Sequence, residues 1–263
     1  MSTKVDPRIF DFTQEEIRLQ DMEAGLLAAK TPQEKLIICS QYGNVPLATE
    51  LLKLDVTINP DPNTFTLSPL YIAVCHGQFE MVKFLIGHGA NVNEMSRACG
   101  YTTLLNLAII KRSLDIFTCL LENGADVNAR YKMQNTSLHK AACLAEYDMG
   151  LADVFISKLL AAGATIQLND RNYTPIALAS ILINYNCLLS DEEKSSRIGE
   201  LKTLISGSLT KISTPITTVS PLISQSSLFS NKCEPESTGS VDDWVLINNM
   251  DHEDWVDDMN FSC

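Results

Sequence analysis

The feature that most constrains this chain is a nine-residue pattern that recurs along its first two thirds. The pattern is a pair of large apolar residues, a short polar step, Gly-Ala, and then a polar or β-branched run, and one of its copies is a residue shorter than the others. It stands as LIGHGANVN at 85–93, as LLENGADVN at 120–128 and as LLAAGATI at 159–166, with a degraded copy, LLKLDVTIN, at 51–59. A repeat period of about 34 residues marks stacked supersecondary units rather than a single globular core. The sequence therefore predicts a solenoid, an architecture that presents an extended surface and seldom a catalytic pocket.

Five units of about this length can be delimited along the chain. Four of them begin with a Ser or Thr that precedes an apolar run, at Ser68, Thr103, Thr136 and Thr174. A hydroxyl at such a position accepts a hydrogen bond from a free amide of the first helical turn, so each is predicted to start the first helix of its unit. The glycine of each Gly-Ala step stands where the second helix must end, a position that favours a positive φ. The units are residues 33–59, 63–93, 96–128, 130–167 and 169–207.

The same runs resemble the ankyrin repeat, whose pattern is Thr-Pro-Leu-His, a pair of alanines, an apolar helix and Gly-Ala-Asp-Val-Asn. TSLHKAA at 136–142 and GADVN at 124–128 carry the resemblance, which extends over residues 33–207. It implies an all-α ankyrin-repeat solenoid of about five helix-turn-helix units, with protruding fingers between consecutive units. It also implies that His139 is a structural residue that hydrogen-bonds fingers to helices. The first unit lacks the Thr-Pro-Leu-His run, and the fifth lacks the Gly-Ala step, which suits a terminal cap.

Two flanking segments depart from the repeat. Residues 1–32 are predicted to form an N-terminal capping segment, because Thr13 and Glu16 make a capping-box pattern before a helical stripe that extends to residue 30. Residues 208–263 are Ser/Thr-rich and then acidic, and their scattered apolar residues follow no period. A disordered linker and an acidic tail are predicted there.

Charge and cysteine content limit the expected partners. The net charge is −12, and an acidic balance argues against binding to a phosphate backbone, so no nucleic acid is expected. No stretch of about 18 apolar residues is present, so no membrane insertion is expected either. The eight cysteines have no zinc or redox spacing, which predicts a reducing, cytoplasmic setting and no bound metal or cofactor.

A partner-binding surface follows from the resemblance. In ankyrin stacks the concave side is made by the finger tips and the exposed end of each first helix. When these positions are carried over to this chain, the resemblance implies a concave surface that is aromatic and basic, although the chain as a whole is acidic. Aromatic residues and arginine are enriched in the cores of protein interfaces. The residues are Tyr42, His76, Arg97, Tyr101, Lys111, Tyr131, Lys132, Met133, Arg171 and Tyr173.

The acidic tail contains two acids, a tryptophan, two spacers and an isoleucine, at Asp242, Asp243, Trp244 and Ile247. This run resembles the short motif by which autophagy receptors dock ubiquitin-like autophagy modifiers. The resemblance implies strand addition to a sheet edge, with Trp244 and Ile247 in two apolar pockets and the acids against basic residues. Two other interpretations stay open: the tail folds back onto the basic fingers, or it serves an unspecified linear contact or solubility.

We expect a monomeric protein–protein interaction scaffold and not an enzyme, because no nucleophile elbow, phosphate-binding loop or metal-spaced histidine is present. The irregular repeats and the acidic end of the tail look like ankyrin effectors that intracellular bacteria translocate into the host cytosol. The first alternative is an endogenous cytosolic or nuclear adaptor or inhibitor. The second is an enzyme with a site at two insertions, near 144–151 and 184–196, which are expected to be loops.

Overall fold

The computed structural model describes residues 14–61, 67–95 and 102–209, and helices are the dominant structure within them. Two isolated antiparallel bridges, Met95 with Thr103 and Arg130 with Thr136, are the only β-type pairings of those residues. The predicted all-α architecture is confirmed. The eleven α-helices of the described residues are α1 Gln14–Ala28, α2 Pro32–Tyr42, α3 Val45–Leu51, α4 Pro69–Cys75, α5 Phe79–Gly87, α6 Leu104–Ile110, α7 Leu114–Glu122, α8 Ser137–Cys143, α9 Met149–Ala161, α10 Pro175–Tyr185 and α11 Asp191–Leu209.

The helices pair and stack as the repeat predicts. In the first four units the two helices pack against each other: α2 on α3, α4 on α5, α6 on α7 and α8 on α9. The first helices form a row, α2, α4, α6, α8 and α10, in which each contacts the next. Among the second helices, the rings of Phe117 in α7 and Phe155 in α9 meet edge to face, with 4.7 Å between centroids. Helix α1 packs on α2, as expected of a capping helix.

Helix starts and ends follow the predicted local signals. The hydroxyls of Ser68 and Thr103 each accept a hydrogen bond from the amide three residues on, at 2.8 and 3.1 Å. Gly89 and Gly124 have φ values of +87° and +81°, and no atom lies within 4 Å of the place that a Cβ would take. Backbone conformation, rather than lack of room, is therefore the reason for glycine at these helix ends. The predicted cap at Thr13 lies outside the described residues.

Consecutive units are joined by the asparagine that ends three of the four copies of the repeat pattern. The side-chain amide of Asn93 donates to the Gly124 carbonyl at 3.0 Å, and its oxygen accepts from the Asp126 amide at 2.7 Å. Asn59 and Asn128 make the same two bonds to the next unit along the chain. Each asparagine satisfies backbone groups at a helix end, where no helical partner exists. The asparagine at the end of the repeat pattern thus connects one unit to the next.

The two insertions were expected to be loops, and that expectation is wrong. Leu144–Glu146 is a short 3-10 helix, in which Leu144 and Ala145 are buried. This turn packs against α8, α9 and α10. In the second insertion α10 continues to Tyr185 and α11 begins at Asp191, so that only residues 186–190 remain as a linker.

The acidic run at the start of α11 explains why the second insertion is helical. Asp191, Glu192 and Glu193 occupy the first turn, where negative charge interacts favourably with the helix dipole. The Ser190 amide donates to the Glu193 carboxylate at 2.8 Å, and the Glu193 amide donates to the Ser190 hydroxyl at 3.2 Å. These hydrogen bonds from Ser190 lower the pKa of Glu193. A run that resembles a solvated loop in sequence is therefore a reciprocally capped helix start.

The first compact unit of the chain ends at Ser206, within the last turn of α11. Residues 210–263 lie outside the described part of the chain, and with them the tail pattern of Asp242, Asp243, Trp244 and Ile247. Its proposed roles stay predictions.

Candidate functional site

Two fingers are described in full, and they carry half of the predicted partner-binding residues. Finger A is residues 128–136, between α7 and α8, and finger B is residues 167–173, between α9 and α10. The base of finger A is closed by the bridge between Arg130 and Thr136. The amide of Tyr131 also donates to the Asn135 carbonyl at 2.9 Å. Finger A is therefore a closed hairpin whose tip is the 3-10 turn Lys132–Gln134.

The tip of finger A is held in a backbone conformation that non-glycine residues rarely adopt. Met133 has φ +59° and Gln134 has φ +57°, both in the left-handed region. Such a residue costs of order 1 kcal/mol and persists only when the surrounding structure over-determines it. The tip therefore presents its side chains from a fixed backbone rather than from a pliable loop.

Fingers A and B are bonded to each other. The Asp170 amide donates to the Met133 carbonyl at 3.1 Å, so the two tips meet through their backbones. Lower down, the Asn169 side-chain amide donates to the side-chain oxygen of Asn135 at 3.0 Å, in a buried position. The Asn169 oxygen in turn accepts from the Tyr173 amide at 2.9 Å. The two fingers therefore form one continuous surface, which we call the finger surface.

His139 anchors the finger surface to α8. Its side chain is fully buried, its Nδ1 accepts from the Thr136 amide at 3.1 Å, and its Nε2 lies 3.1 Å from the Tyr173 carbonyl. Because Nδ1 is an acceptor, the proton must lie on Nε2, which donates to that carbonyl. Burial lowers the pKa of His139, so the ring is neutral. The structural role that the resemblance implied for His139 is confirmed.

The finger surface brings together Tyr131, Lys132 and Met133 from finger A and Arg171 and Tyr173 from finger B. Lys132 is exposed, and the other four are half-buried. Their participation in binding stays a prediction, but their proximity is a property of the structure.

The charge of the finger surface is opposite to that of the chain. Arg130, Lys132 and Arg171 outnumber Asp170, in a chain whose net charge is −12. The Arg130 guanidinium donates from Nε to the side-chain oxygen of Gln167 at 2.9 Å, which links finger A to finger B once more. The surface thus offers a local basic patch beside aromatic rings.

Three other predicted residues lie at the opposite end of the first helices. Tyr42 is the last residue of α2, and His76 and Lys111 are the C-caps of α4 and α6. First helices of 7 to 11 residues place these ends about 10–16 Å from the fingers, at 1.5 Å per residue. His76 is also occupied locally, with its Nδ1 3.0 Å from the Ile72 carbonyl. Tyr42, His76 and Lys111 therefore lie at the opposite helix ends from the fingers, and their part in binding stays a prediction.

The finger before α6 is described only in part, and the predicted Arg97 and Tyr101 lie outside the described residues. In the described part, the hydroxyl of Ser68 donates to the carboxylate of Glu94 while it caps α4. Burial raises the pKa of Glu94 to about 7, although the bond to Ser68 acts in the other direction. A carboxyl group that titrates near neutrality therefore joins this finger to the start of α4.

Sequence reasoning missed the buried pair of Asn135 and Asn169 that locks the fingers. The two asparagines stand 34 positions apart, which is one repeat period. That spacing was the available signal, because residues one period apart occupy equivalent places in neighbouring units and stack.

No other feature of the described residues competes with the finger surface as a chemical site. An open groove of about 550 Å³ between α5 and α7 is lined by Phe79, Lys83, Leu114 and Glu122 among others. Within residues 14–61, 67–95 and 102–209, no three His, Cys, Asp or Glu side chains converge where a metal ion could be held. In the same segments no helix has both the length and the apolar character that a bilayer crossing requires.

Comparison with known proteins agrees with the geometry. A family model described as ankyrin repeats, in three copies, matches residues 36–131. A putative ankyrin repeat protein of fowlpox virus is 29% identical over 159 residues, which are 58% of this chain and 45% of the viral protein. Human ankyrin repeat and SOCS box protein 6 is 28% identical over 164 residues, 62% of this chain and 39% of that protein. A putative ankyrin repeat protein of Borreliella burgdorferi is 29% identical over 125 residues, 48% of this chain and 55% of that protein.

The matched stretch thus spans about half the length of these curated relatives. The family model ends at residue 131, inside finger A, whereas the helix pairs of the structure continue through α8 and α9. Finger B and the two insertions are therefore features that the structure adds to the match.

Proposed function

Because this chain is an ankyrin-repeat protein, and such repeats generally mediate protein–protein interaction, we propose that it is a scaffold that binds a partner protein through the finger surface. The observation that supports this proposal is the bonding of finger A to finger B at Met133 with Asp170 and at Asn135 with Asn169. A surface that is rigid before binding loses little conformational entropy when a partner docks.

The residue types on the finger surface favour a protein partner. Tyr131 and Tyr173 supply rings with few rotatable bonds, and Arg171 supplies a planar group with several donors. These are the residue types that dominate the energy of protein interfaces. Basic charge beside them favours a partner whose contact surface is acidic or polar.

Binding is also better supported than catalysis by the described residues. Ankyrin-repeat relatives are generally interaction proteins, and the acidic run proposed for the enzyme alternative serves as the capped start of α11. The buried His139 has both ring nitrogens engaged in hydrogen bonds. Both groups therefore have a structural role in the described residues.

The setting of the interaction stays a prediction. Delivery into a host cytosol as a bacterial effector is the leading hypothesis, and an endogenous adaptor that docks an autophagy modifier through the tail is the alternative. The similar proteins include a viral, a mammalian and a bacterial protein, which is consistent with either setting.

Site-specific crosslinking tests the proposed surface. A photoreactive benzoylphenylalanine is placed at Lys132, which is exposed on finger A, and, as a control, at Asp153, which is exposed on α9. In eukaryotic lysate we expect a specific adduct from position 132 and none from position 153. No adduct from position 132, or an equal one from position 153, would show that the finger surface is not the contact.

A further inference from the structure

A second exposed apolar surface lies at the far end of α8 and α10 from the fingers. Tyr147, Tyr185 and Leu188 are 57%, 58% and 93% exposed, respectively. Single exposed apolar residues are ordinary, but a group on adjoining segments is typical of an interaction site. We call Tyr147, Tyr185 and Leu188 the linker patch, because two of them border or lie in the linker of residues 186–190.

The segments that carry the linker patch are joined by a hydrogen bond. The side-chain amide of Asn186 donates to the carboxylate of Glu146 at 3.2 Å. Asn186 is the neighbour of Tyr185, and Glu146 is the neighbour of Tyr147 in the chain. This bond therefore holds the insertion of the fourth unit against the linker of the fifth.

Further bonds fix the backbone beneath the linker patch. Arg197 in α11 donates from Nη1 to the carbonyls of Ala145 and Glu146, at 2.9 and 2.6 Å. The side-chain oxygen of Asn186 accepts from the Leu188 amide at 2.9 Å. The reciprocal cap at the start of α11 holds the other end of the linker. The exposed rings and the leucine thus stand on an ordered base, which lowers the entropic cost of binding.

The charged residues around the linker patch are mostly acidic. Residues 144–148 and 185–197, which carry and border the linker patch, contain two bases, Lys194 and Arg197, and Arg197 is engaged with the two carbonyls. The acids on the same segments are Glu146, Asp148, Asp191, Glu192 and Glu193. This is the reverse of the finger surface, where bases outnumber acids. Charge complementarity therefore selects a different partner chemistry at this end of the helices.

We propose that the linker patch docks a basic, amphipathic segment of another protein. An aliphatic or aromatic side chain of that segment seats against Tyr147, Tyr185 and Leu188. Flanking Lys or Arg residues face the acidic rim, in which Glu192 is exposed. Because α10 has 11 residues, the patch lies about 16 Å from finger B, and it is a contact separate from the finger surface.

Peptide binding to the full chain tests this proposal. The probe is a fluorescein-labelled synthetic peptide, RKLFKR, measured by fluorescence anisotropy beside two matched peptides, EDLFED and RKSSKR. We expect RKLFKR to bind about tenfold more tightly than either, because each control removes one half of the complementarity. Leu188→Ser should weaken RKLFKR about fivefold, and Glu192→Lys should weaken it and reduce the dependence on salt.

Matched variants separate this site from the finger surface and from folding. Leu54→Ser replaces a leucine that is also exposed, at 53%, near the end of the first unit, and should leave peptide binding unchanged. Leu188→Ser should leave the melting temperature and the crosslink from position 132 unchanged. Failure of RKLFKR to bind, equal affinity for the three peptides, or unchanged binding by Leu188→Ser would overturn the proposal. A dimer in sedimentation velocity that Leu188→Ser converts to monomer would also overturn it, since a second copy would then occupy the patch.

Discussion

The finger surface and the linker patch lie at opposite ends of the same first helices, α8 and α10, and they are built in different ways. The fingers are joined by bonds between residues about one repeat period apart, such as that of Asn135 with Asn169. The linker patch is held by bonds that occur once, between Asn186 and Glu146 and between Arg197 and two carbonyls. Residues that follow the repeat therefore form the scaffold and the finger surface, whereas the two insertions form the linker patch.

The two ends also differ in charge. Bases outnumber acids on the finger surface, and acids outnumber bases around the linker patch. In a solenoid each unit contacts only its neighbours, so a local insertion can add a surface without rearranging the rest. One stack of helices therefore presents two chemically distinct surfaces.

The largest expected effect is the loss of the core that both surfaces share. Leu120 in α7 is fully buried, and its neighbour Leu121 is only half-buried. Leu120→Ala should lower the free energy of unfolding by about 2–5 kcal/mol, because it leaves a cavity between units. Leu121→Ala should cost clearly less. Urea unfolding of both variants measures the difference, and equal losses would mean that the stacking described for α7 is wrong.

The next effect is the pH dependence of the unfolding free energy that arises from Glu94. Its pKa is raised in the folded state from 4.5 to about 7, so its stabilising contribution is complete below pH 4.5 and is lost as pH rises through 7. The wild type should lose about 1–3 kcal/mol of unfolding free energy between pH 5 and pH 8 from this group. Glu94→Gln, which resembles the protonated acid, should lack that loss in urea unfolding at the two pH values.

His139 changes the unfolding free energy with pH in the opposite direction, so its effect must be separated from that of Glu94. Its folded pKa lies below the ordinary 6.5, so its contribution is present above pH 6.5 and is lost as pH falls through the folded value. In the Glu94→Gln background, the further change His139→Gln should therefore reduce the slope of unfolding free energy against pH below pH 6.5. A double variant with an unchanged acidic slope would assign that slope to other groups.

A smaller effect on stability, but a large one on binding, is expected at the finger surface. Tyr131→Ala combined with Arg171→Ala should abolish partner capture at an unchanged melting temperature, since neither side chain is fully buried. Leu188→Ser serves as the control at the other end of the helices. A matching fall in melting temperature would identify Tyr131 and Arg171 as structural residues.

The smallest effect on the folded body is expected from the tail. Trp244→Ala should leave the unfolding free energy unchanged and should abolish any recovery of a ubiquitin-like autophagy modifier that depends on residues 208–263. Asp258→Ala is a control in the same acidic tail. Equal recovery by wild type and Trp244→Ala would remove the proposed tail motif.

Much of the fold was predictable because its signals are local. The hydroxyl caps at Ser68 and Thr103 act over three residues, and the glycines at 89 and 124 act through their own φ angles. The role of His139 was implied by the resemblance of TSLHKAA at 136–142 to the ankyrin repeat. The leucine pair of α7, in contrast, does not reveal which member is buried, because that depends on the direction from which the next unit packs.

The sequence by itself determined the helical repeat and the positions of most helix ends, since these depend on interactions within a few residues or on a fixed period, and the resemblance to the ankyrin repeat indicated the fingers. Only the tertiary structure decided that the two insertions fold as helix and meet at Glu146 and Asn186. Those residues are 40 positions apart and follow no repeat. Contacts of that kind depend on how whole helices are placed, and no local pattern encodes them.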